Sequence, residues 1–353
     1  MIRSLSLTNF RSYKTIELNF EDNLTVISGP NAVGKTNLLE SIFVASTTKS
    51  FRARDADLVN IGEEFFRVVA QFDTDLVELS LSHQAGAQAK RLKLNGKKQS
   101  LHSLLGRNPV TLFEPHDMNL FDGSPDQRRR YIDTLLCQLS SSYMVALTAF
   151  KHILRQRNSL LHQAKLQQRR VSEDELFVWD VQLSQPAEEV SKQRRDIIAR
   201  LSPIIHDVYS DIAGAQTKLE LICEPSVDLS QEHYINTLTR NHMRDAVAGF
   251  TTSGPHRDDM RLDFKTGSIT STASRGETRT IILALKLAEM RLLQESLNLK
   301  PILLLDDVFS ELDAKRRKHL MELIATQQTL LTTTEVDKNI SKNSYIIDLS
   351  GLS

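Results

Sequence analysis

The segment from Gly29 to Thr36 of this 353-residue sequence has the residue types and spacing that bind phosphate groups. It reads G-P-N-A-V-G-K-T, which fits GxxxxGK[ST] without a mismatch, and it stands between the apolar run Leu24–Ile27 and an apolar helical stretch at 37–45. Glycines let backbone N–H groups turn inward around an anion, and the helix N-terminus adds a positive dipole end. We predict a loop for the phosphates of ATP made of Gly29, Pro30, Asn31, Ala32, Val33, Gly34, Lys35 and Thr36. Lys35 is expected to meet the β- and γ-phosphates and to act in catalysis, and the Thr36 hydroxyl to ligate Mg²⁺.

Two adjacent acids supply a second half for such a site. Asp306 and Asp307 end the apolar run Ile302–Leu305, which is typical of a central strand in a parallel sheet. Ligands bind beyond the carboxyl ends of these strands. We predict that Asp306 holds Mg²⁺, directly or through water, and that Asp307 orients or deprotonates the attacking water.

A further anion cradle is indicated at Ser274-Arg275-Gly276-Glu277, which opens a helix at Thr278. The Ser274 hydroxyl and the N–H groups around Gly276 stand at a helix N-terminus, where anions are stabilised. The separation of Thr36 from Asp306, 270 residues, exceeds what a compact GTPase or small kinase needs. With Ser310-Glu311-Leu312-Asp313 after the acidic strand, this order resembles the layout of ABC ATPases. That resemblance implies that Ser274 and Gly276 meet the γ-phosphate held by another subunit.

Three zones of different periodicity must position these residues. The zone 1–118 shows short alternating runs, with a tight hairpin turn predicted at Asn95-Gly96. The zone 119–247 is mainly helical, with one run from Tyr131 to Leu154 and a second from Trp179 to Val208, which together predict an αα-hairpin. The zone 248–353 returns to an α/β pattern. We therefore predict an α/β fold, an ABC/SMC-type ATPase head (1–118 and 248–353) with an inserted helical lobe (119–247).

Bulk properties exclude some classes of protein. Lys+Arg and Asp+Glu are both 44, so the formal net charge of zero gives no general support for binding nucleic acid. No signal peptide or apolar run long enough to span a membrane is visible. Cys137 and Cys223 fit no zinc or redox spacing. We expect a cytoplasmic location.

Further segments resemble the RecF family of SMC-like ABC ATPases. They span nearly the whole chain: Leu7–Tyr13, Gly34–Glu40, Gly123–Asp133, Ser253–Asp259 and Leu305–Asp313. The sequence departs from the family at His116, where an acid is usual, and at Phe121, where an aliphatic residue is usual. No glutamine follows the run Val110–Phe113, and Thr332-Thr333-Thr334 lacks a histidine, so the Mg²⁺-sensing and switch roles of ABC proteins stay unassigned.

Resemblance to this family implies a function as well as a fold. It implies ATP-dependent binding of single-stranded and duplex DNA at gap junctions, with slow, DNA-stimulated ATP hydrolysis as a switch. It also implies an ATP-dependent homodimer that works with RecR and RecO to place RecA in gap repair, replication restart and the SOS response. The helical zone is too short for the coiled-coil arms of SMC proteins.

Basic clusters in the helical zone give modest support for a DNA track. They are Arg128–Arg130, Arg155/Arg157, Arg169/Arg170 and Arg194/Arg195. His256, Asp258 and Asp259 resemble metal ligands in type, but neighbouring strand positions point to opposite faces, which argues against a metal there.

Two other functions remain open from the sequence. A metabolic phosphotransferase is supported only by the phosphate loop, and the Ser274 cradle argues against it. A transporter cassette, or an ABC module that regulates a partner without binding DNA, is opposed by the RecF-like segments. Binding to gapped DNA with ATP, compared with hydrolysis without DNA, separates these alternatives.

Overall fold

The protein divides into two compact units, one of them built from two separate stretches of sequence. This computed structural model describes residues 1–84, 87–214, 216–227, 230–311, 316–317, 320–322, 326–334 and 344–351. Unit 1 comprises 1–118 and 275–353, and unit 2 comprises 119–274. The second division therefore falls at 274/275 and not at the predicted 247/248. The physical reason is a small sheet in unit 2 whose strands come from both sides of residue 248.

The N-terminal part of unit 1 is a six-stranded antiparallel sheet in the order β2-β1-β4-β5-β6-β7. Its strands are β1 (Ile2–Phe10), β2 (Tyr13–Asn19), β4 (Phe65–Phe72), β5 (Leu76–Gln84), β6 (Ala87–Leu94) and β7 (Lys97–Gln99). Alternate residues of β4 are buried, as expected for a sheet with one covered face. Leu94 pairs with Lys97, and Asn95 and Gly96 both have positive φ, so the predicted two-residue turn is confirmed.

A parallel sheet forms the other part of unit 1, in the order β14-β3-β13-β12-β8. Its strands are β3 (Leu24–Ser28), β8 (Val110–Phe113), β12 (Ile302–Asp306), β13 (Thr329–Thr333) and β14 (Ser344–Asp348). All residues of β3, β8 and β12 are buried, because both faces of a parallel sheet are covered. The carboxyl ends of these strands lie at one edge, where a ligand site is expected.

Among the described residues of unit 1, two long helices pack against the sheets. The helix α1 (Lys35–Thr47) contacts strands of both sheets, which explains why 11 of its 13 residues are buried. One apolar core joins the two sheets around it, with Leu38 and Ile42 among its members. The helix α8 (Arg275–Leu297) is buried at every position from Thr280 to Leu293 except Arg291.

Unit 2 is mainly helical and contains the predicted αα-hairpin. Its helices are α2 (Pro125–Leu139), α3 (Ser141–Leu166), α4 (Glu173–Ala213), α5 (Gln231–Arg240), α6 (His242–Ala248) and α7 (Ile269–Thr272). The first predicted run is in fact two helices divided at Ser140, which caps α3. The second begins at Glu173, not Trp179, because Ser172 and Glu175 form a capping box.

The small sheet of unit 2 has the order β11-β10-β9. Its strands are β9 (Leu219–Glu224), β10 (Asp259–Phe264) and β11 (Gly267–Ser268). Six residues of β9 pair antiparallel with β10. The pairing ties the segment after residue 248 to unit 2 and gives the later domain boundary.

None of the helices among the described residues is both long enough and apolar enough to cross a bilayer. The 41-residue α4 is long enough, but charged residues such as Glu188, Glu189 and Lys192 interrupt its apolar positions.

Candidate functional site

The predicted phosphate loop connects the carboxyl end of β3 to the first residue of α1. Gly29 and Gly34 both have positive φ, of 151° and 112°. A Cβ atom at Gly34 would lie only 2.7 Å from the Tyr13 hydroxyl, so both space and backbone conformation require glycine there. Gly29, Gly34 and Lys35 are buried, whereas Pro30, Asn31 and Ala32 are exposed. The loop thus offers its outer residues to a ligand while its two ends are fixed.

Lys35 lies across the loop with its side chain 8% exposed. Its ammonium donates to the carbonyl oxygens of Gly29 at 2.7 Å and Pro30 at 3.0 Å. An ammonium group has three N–H donors, so a further donor can serve a phosphate oxygen. The positive charge of Lys35 is therefore held where the phosphates of a nucleotide would enter the loop.

Thr36 and Asp306 meet across the parallel sheet. The Thr36 hydroxyl lies 3.0 Å from each carboxylate oxygen of Asp306. On the next strand, the Thr332 hydroxyl donates to Asp306 Oδ1 at 2.7 Å. The structure therefore brings together the two residues that the sequence predicted as magnesium ligands. It adds Thr332, which the sequence placed in the switch region but could not assign to a role.

Asp307 leaves the sheet in a left-handed turn with a φ of 50°. Its backbone N–H donates to the Thr332 hydroxyl at 3.0 Å. Non-glycine residues with positive φ are uncommon, and their strain is often found at functional sites. Because the chain turns here, Asp307 is not part of the strand that ends at Asp306. The Asp307 residue is half-buried.

Glu114 is a site residue that the sequence analysis did not identify. It directly follows β8, in which Phe113 pairs with Leu305 of β12, so Glu114 and Asp306 leave neighbouring parallel strands at the same edge. Burial, with the charges of Asp117 and Asp306, raises the pKa of Glu114 to about 7, against the opposing effect of Lys286 and Arg52. The residue directly after this apolar strand is an acid and not a glutamine, and this pattern is the signal in the sequence that points to the position.

An ion-pair cluster around the buried Glu40 anchors α1. The Arg11 guanidinium donates to both oxygens of Glu40, at 2.8 and 2.9 Å, and Arg52 donates to the same carboxylate at 3.0 Å. Burial opposes the charge of Glu40, but hydrogen bonds from Arg11 and Arg52 hold its pKa below the ordinary value. The cluster fixes the helix whose first turn carries Lys35 and Thr36.

The predicted second cradle falls at the division between the units. Ser274 is the last residue of unit 2, and Gly276 lies in the first turn of α8 in unit 1. Ser274 and Arg275 are exposed, and the Gly276 carbonyl accepts from Arg316 Nη2 at 2.5 Å. Of the segment predicted after β12, Val308–Glu311 forms a short 3-10 helix, and Leu312 and Asp313 lie outside the described residues.

Three of the predicted basic clusters contain an arginine that is buried in unit 2. Arg157 is 0% exposed and donates to Asp180 and Asp245 at 2.8 and 2.7 Å. Arg194 donates to Asp133, and Arg128 to Asp259. These three arginines hold unit 2 together and cannot contact DNA, which corrects the interpretation of the clusters. The exposed cluster members are Arg130, Arg155, Arg169 and Arg170.

The segment from His256 to Asp259 is structural. His256 Nε2 lies 2.9 Å from the Thr251 carbonyl oxygen, and Asp258 accepts from Ser191 at 2.9 Å. The Asp259 carboxylate forms an ion pair with the Arg128 guanidinium. Throughout the part of the chain that the structure describes, no group of three or more His, Cys, Asp and Glu residues could hold a metal.

The geometry of the Thr36–Asp306 pair fits magnesium. A hydroxyl and a carboxylate are oxygen donors, which this ion prefers, and Mg²⁺ is usually held by one or two carboxylates together with substrate phosphates. The site therefore offers the protein's share of such a coordination shell, and the phosphate loop beside it would bring the rest.

Comparisons with known proteins agree over almost the whole chain. Residues 1–346 match the family model described as RecF/RecN/SMC N terminal domain. The chain is 36% identical to the DNA replication and repair protein RecF of Agathobacter rectalis, a match that covers 99% of this chain and 96% of that protein. A solved structure of the recombination mediator protein RecF-ATP in the RecFOR pathway superposes with a TM-score of 0.85 at 30% identity, over 96% of this chain and 92% of that one.

A more distant likeness supports the same fold. The Smc head bound to the C-winged helix domain of ScpA superposes with a TM-score of 0.52 at 17% identity, over 98% of this chain and 93% of that one. At this identity the likeness concerns the fold alone. Together with the closer match, it confirms the predicted α/β ABC/SMC-type ATPase fold.

Proposed function

This chain belongs to the RecF family of SMC-like ATPases, and we propose that it is a recombination mediator that binds DNA when it holds ATP. The single observation that carries the ATP-dependent part of the proposal is the contact of Thr36 with Asp306, at 3.0 Å and across 270 residues of sequence. It joins the phosphate loop to the acidic strand end, as ATP hydrolysis in this class of protein requires.

ATP would bind at the edge of the parallel sheet. The backbone N–H groups of the loop from Gly29 to Gly34 surround the phosphates, and Lys35 meets the β- and γ-phosphates. Thr36 and Asp306 would hold Mg²⁺, which when bound supplies positive charge against the phosphate oxygens. Asp307 orients the attacking water and accepts its proton. The proposed reaction is the slow hydrolysis of ATP to ADP and phosphate, stimulated by DNA.

The proposed active form is an ATP-dependent homodimer. Ser274 is exposed, and Gly276 lies in the first turn of α8, at the positive end of the helix dipole. The γ-phosphate held by one chain would be met by these residues of a second copy. ATP thereby joins two chains, and hydrolysis releases them.

We further propose that the dimer acts on DNA at single-stranded gaps. It would contact single-stranded and duplex DNA at the junction and cooperate with RecR and RecO in placing RecA, in repair, replication restart and the SOS response. Family membership and the likeness to a RecF of the RecFOR pathway support this assignment. The proposed location is the cytoplasm.

The test compares DNA binding in different nucleotide states. Fluorescence anisotropy with a gapped duplex should show tight binding with ATP and Mg²⁺ and weak binding with ADP. Hydrolysis should accelerate when the gapped duplex is added. Equal DNA binding with ATP, with ADP and without nucleotide would contradict the proposal.

A second candidate is an ABC module that regulates a protein partner without binding DNA. The burial of Arg157, Arg194 and Arg128 in ion pairs favours it, because these residues are unavailable to a DNA backbone. In the same experiment it predicts ATP hydrolysis and dimer formation with no binding to any DNA substrate.

A further inference from the structure

Asp117 connects the turn after β8 to the buried part of α8. Its Oδ2 accepts from the backbone N–H of Glu114 at 2.9 Å, and its own N–H donates to the Glu114 carbonyl oxygen at 3.0 Å. Its Oδ1 lies 3.0 Å from the ammonium of Lys286. One carboxylate therefore fixes the conformation of Glu114 and joins it to a helix far away in sequence.

Lys286 is an unusual residue for its place in α8. Its side chain is 7% exposed, and that of Asp117 is 12% exposed. Burial disfavours its charge, but Asp117 and Glu289 raise the pKa of Lys286 above the ordinary value, so the ammonium stays charged at neutral pH. A buried charge is costly, and an apolar side chain of similar size would pack as well. The ion pair therefore calls for a role other than packing.

The position of Glu114 indicates what the Asp117–Lys286 ion pair does. Phe113 and Leu305 are paired, so the following residues, Glu114 and Asp306, stand side by side at the edge where the phosphates are expected. The charges of Asp306 and Asp117 both act on the Glu114 carboxyl. A small rotation of the turn would carry this carboxyl away from the acidic edge.

We propose that Asp117 and Lys286 are positioning residues for ATP hydrolysis, and that they hold Glu114 beside Asp306 so that its carboxyl orients the water near the γ-phosphate. The inference rests on the proposed ATPase function and names residues for it. Lys286 lies on the helix whose first turn carries Gly276. One helix would therefore contribute both to the cradle for a second chain's γ-phosphate and to the positioning of Glu114 in the chain's own site.

The test is a double-mutant cycle on the full-length chain. Lys286→Met should lower kcat by about 10- to 100-fold, the usual cost of losing a residue that orients a site, and Lys286→Arg should restore most of it. Glu114→Ala should lower kcat similarly. The double variant should be no slower than Glu114→Ala, because Lys286 acts through Glu114. The affinity for a fluorescent ATP analogue should stay close to the wild-type value in all four.

A matched control and a second measurement complete the design. Arg291→Met removes an ion pair of the same helix, with Glu295 at 2.9 Å, but an exposed one, and it should leave kcat unchanged. Hydrogen exchange of the Glu114 amide should accelerate in Lys286→Met and not in Arg291→Met. If Lys286→Met does not fold, Asp117→Asn replaces it in the same cycle.

The outcomes separate two failures. An unchanged kcat in Glu114→Ala, losses that multiply in the double variant, or a Lys286→Met rate equal to that of Arg291→Met would overturn the inference while ATP hydrolysis itself stands. A wild-type chain that hydrolyses no ATP would contradict the proposed function, and the inference with it.

Discussion

Arg155 and Arg157 lie two positions apart on α3 and have opposite environments. Arg155 is exposed, whereas Arg157 is 0% exposed and is enclosed by Asp180 and Asp245. The Thr251 hydroxyl accepts a further hydrogen bond from Arg157, at 2.8 Å. Substitution of Arg157 therefore tests stability, and substitution of Arg155 tests DNA binding.

Arg157→Met is expected to destabilise the protein by about 3–5 kcal/mol, because it removes the guanidinium charge that faces two buried carboxylates. Arg155→Met, the neighbouring control, should change the free energy of unfolding by less than about 0.5 kcal/mol. Urea denaturation followed by circular dichroism measures both. Equal effects of the two substitutions would contradict the assigned burial.

Replacing the exposed arginines Arg155, Arg169 and Arg170 with Gln should weaken binding to gapped DNA. Each lost phosphate contact should reduce the slope of log affinity against log salt by about 0.9 on duplex. Arg291→Gln removes one exposed arginine charge from α8 and is the control for a single replacement. An unchanged affinity and slope would place the DNA track elsewhere, with Arg52 and Arg54 of unit 1 as the next candidates.

Lys35→Met and Asp307→Asn should separate ATP binding from hydrolysis. Lys35→Met removes a charge-assisted contact with the phosphates and should weaken ATP binding by about 2 kcal/mol, and DNA retention with it. Asp307→Asn should bind ATP normally and lose about 10²- to 10⁴-fold in kcat. Titration with a fluorescent nucleotide and phosphate-release assays give the two quantities. Wild-type turnover in Asp307→Asn would show that the catalytic base is another residue.

Gly276→Asp should prevent dimer formation and spare the monomer. A Cβ at Gly276 meets only an ordinary contact, 3.5 Å from Arg316 Nη2, so the variant should fold. Its carboxylate would repel the γ-phosphate held by a second chain. Sedimentation in the Asp307→Asn background, with ATP and Mg²⁺, should show a dimer that the added Gly276→Asp abolishes. A monomer without that substitution would refute ATP-driven dimerisation.

Stability should fall in acid because of His256. Burial lowers its pKa to about 4 from an ordinary value of 6.5. Between these values the unfolded imidazole binds a proton and the folded one does not, so stability decreases as the pH falls from 6.5 toward 4. His256→Gln should flatten this part of the pH profile of Tm. A parallel profile in the variant would indicate that other groups cause the acid sensitivity.

Local sequence patterns were enough to predict that Thr36 and Asp306 lie together, because each of the two segments is local. The loop before α1 and the acids after β12 are each fixed by a strand and a turn, and their meeting follows from the common edge of a parallel sheet. Glu114 was missed because a glutamine was expected after β8. Only the pairing of Phe113 with Leu305 reveals that its neighbour is Asp306.

The burial of Arg157 could also be inferred in part from the sequence. The buried positions of α3 include Phe150, Leu161 and Ala164, and Arg157 falls on the same helical face. Its position therefore indicated the core, although its residue type suggested the surface. Asp245, which explains the burial, is 88 residues away, and no local pattern connects the two. The later domain boundary was missed for the same reason, because β9 and β10 pair over a long stretch of sequence.

The strand order of the parallel sheet has a consequence for how the protein is made. In the sheet order β3 lies between β14 and β13, and β8 pairs with β12. Within the part of the chain that the structure describes, both early strands therefore pair with strands from the last part of the chain. During synthesis, β3 and β8 must wait unpaired while the contiguous unit 2 emerges and can fold. Parallel pairing between distant segments is slow and leaves apolar strands open to aggregation. A ribosome that stalls before residue 302 therefore leaves a nascent chain that has a phosphate loop but lacks the parallel sheet at whose edge the loop lies.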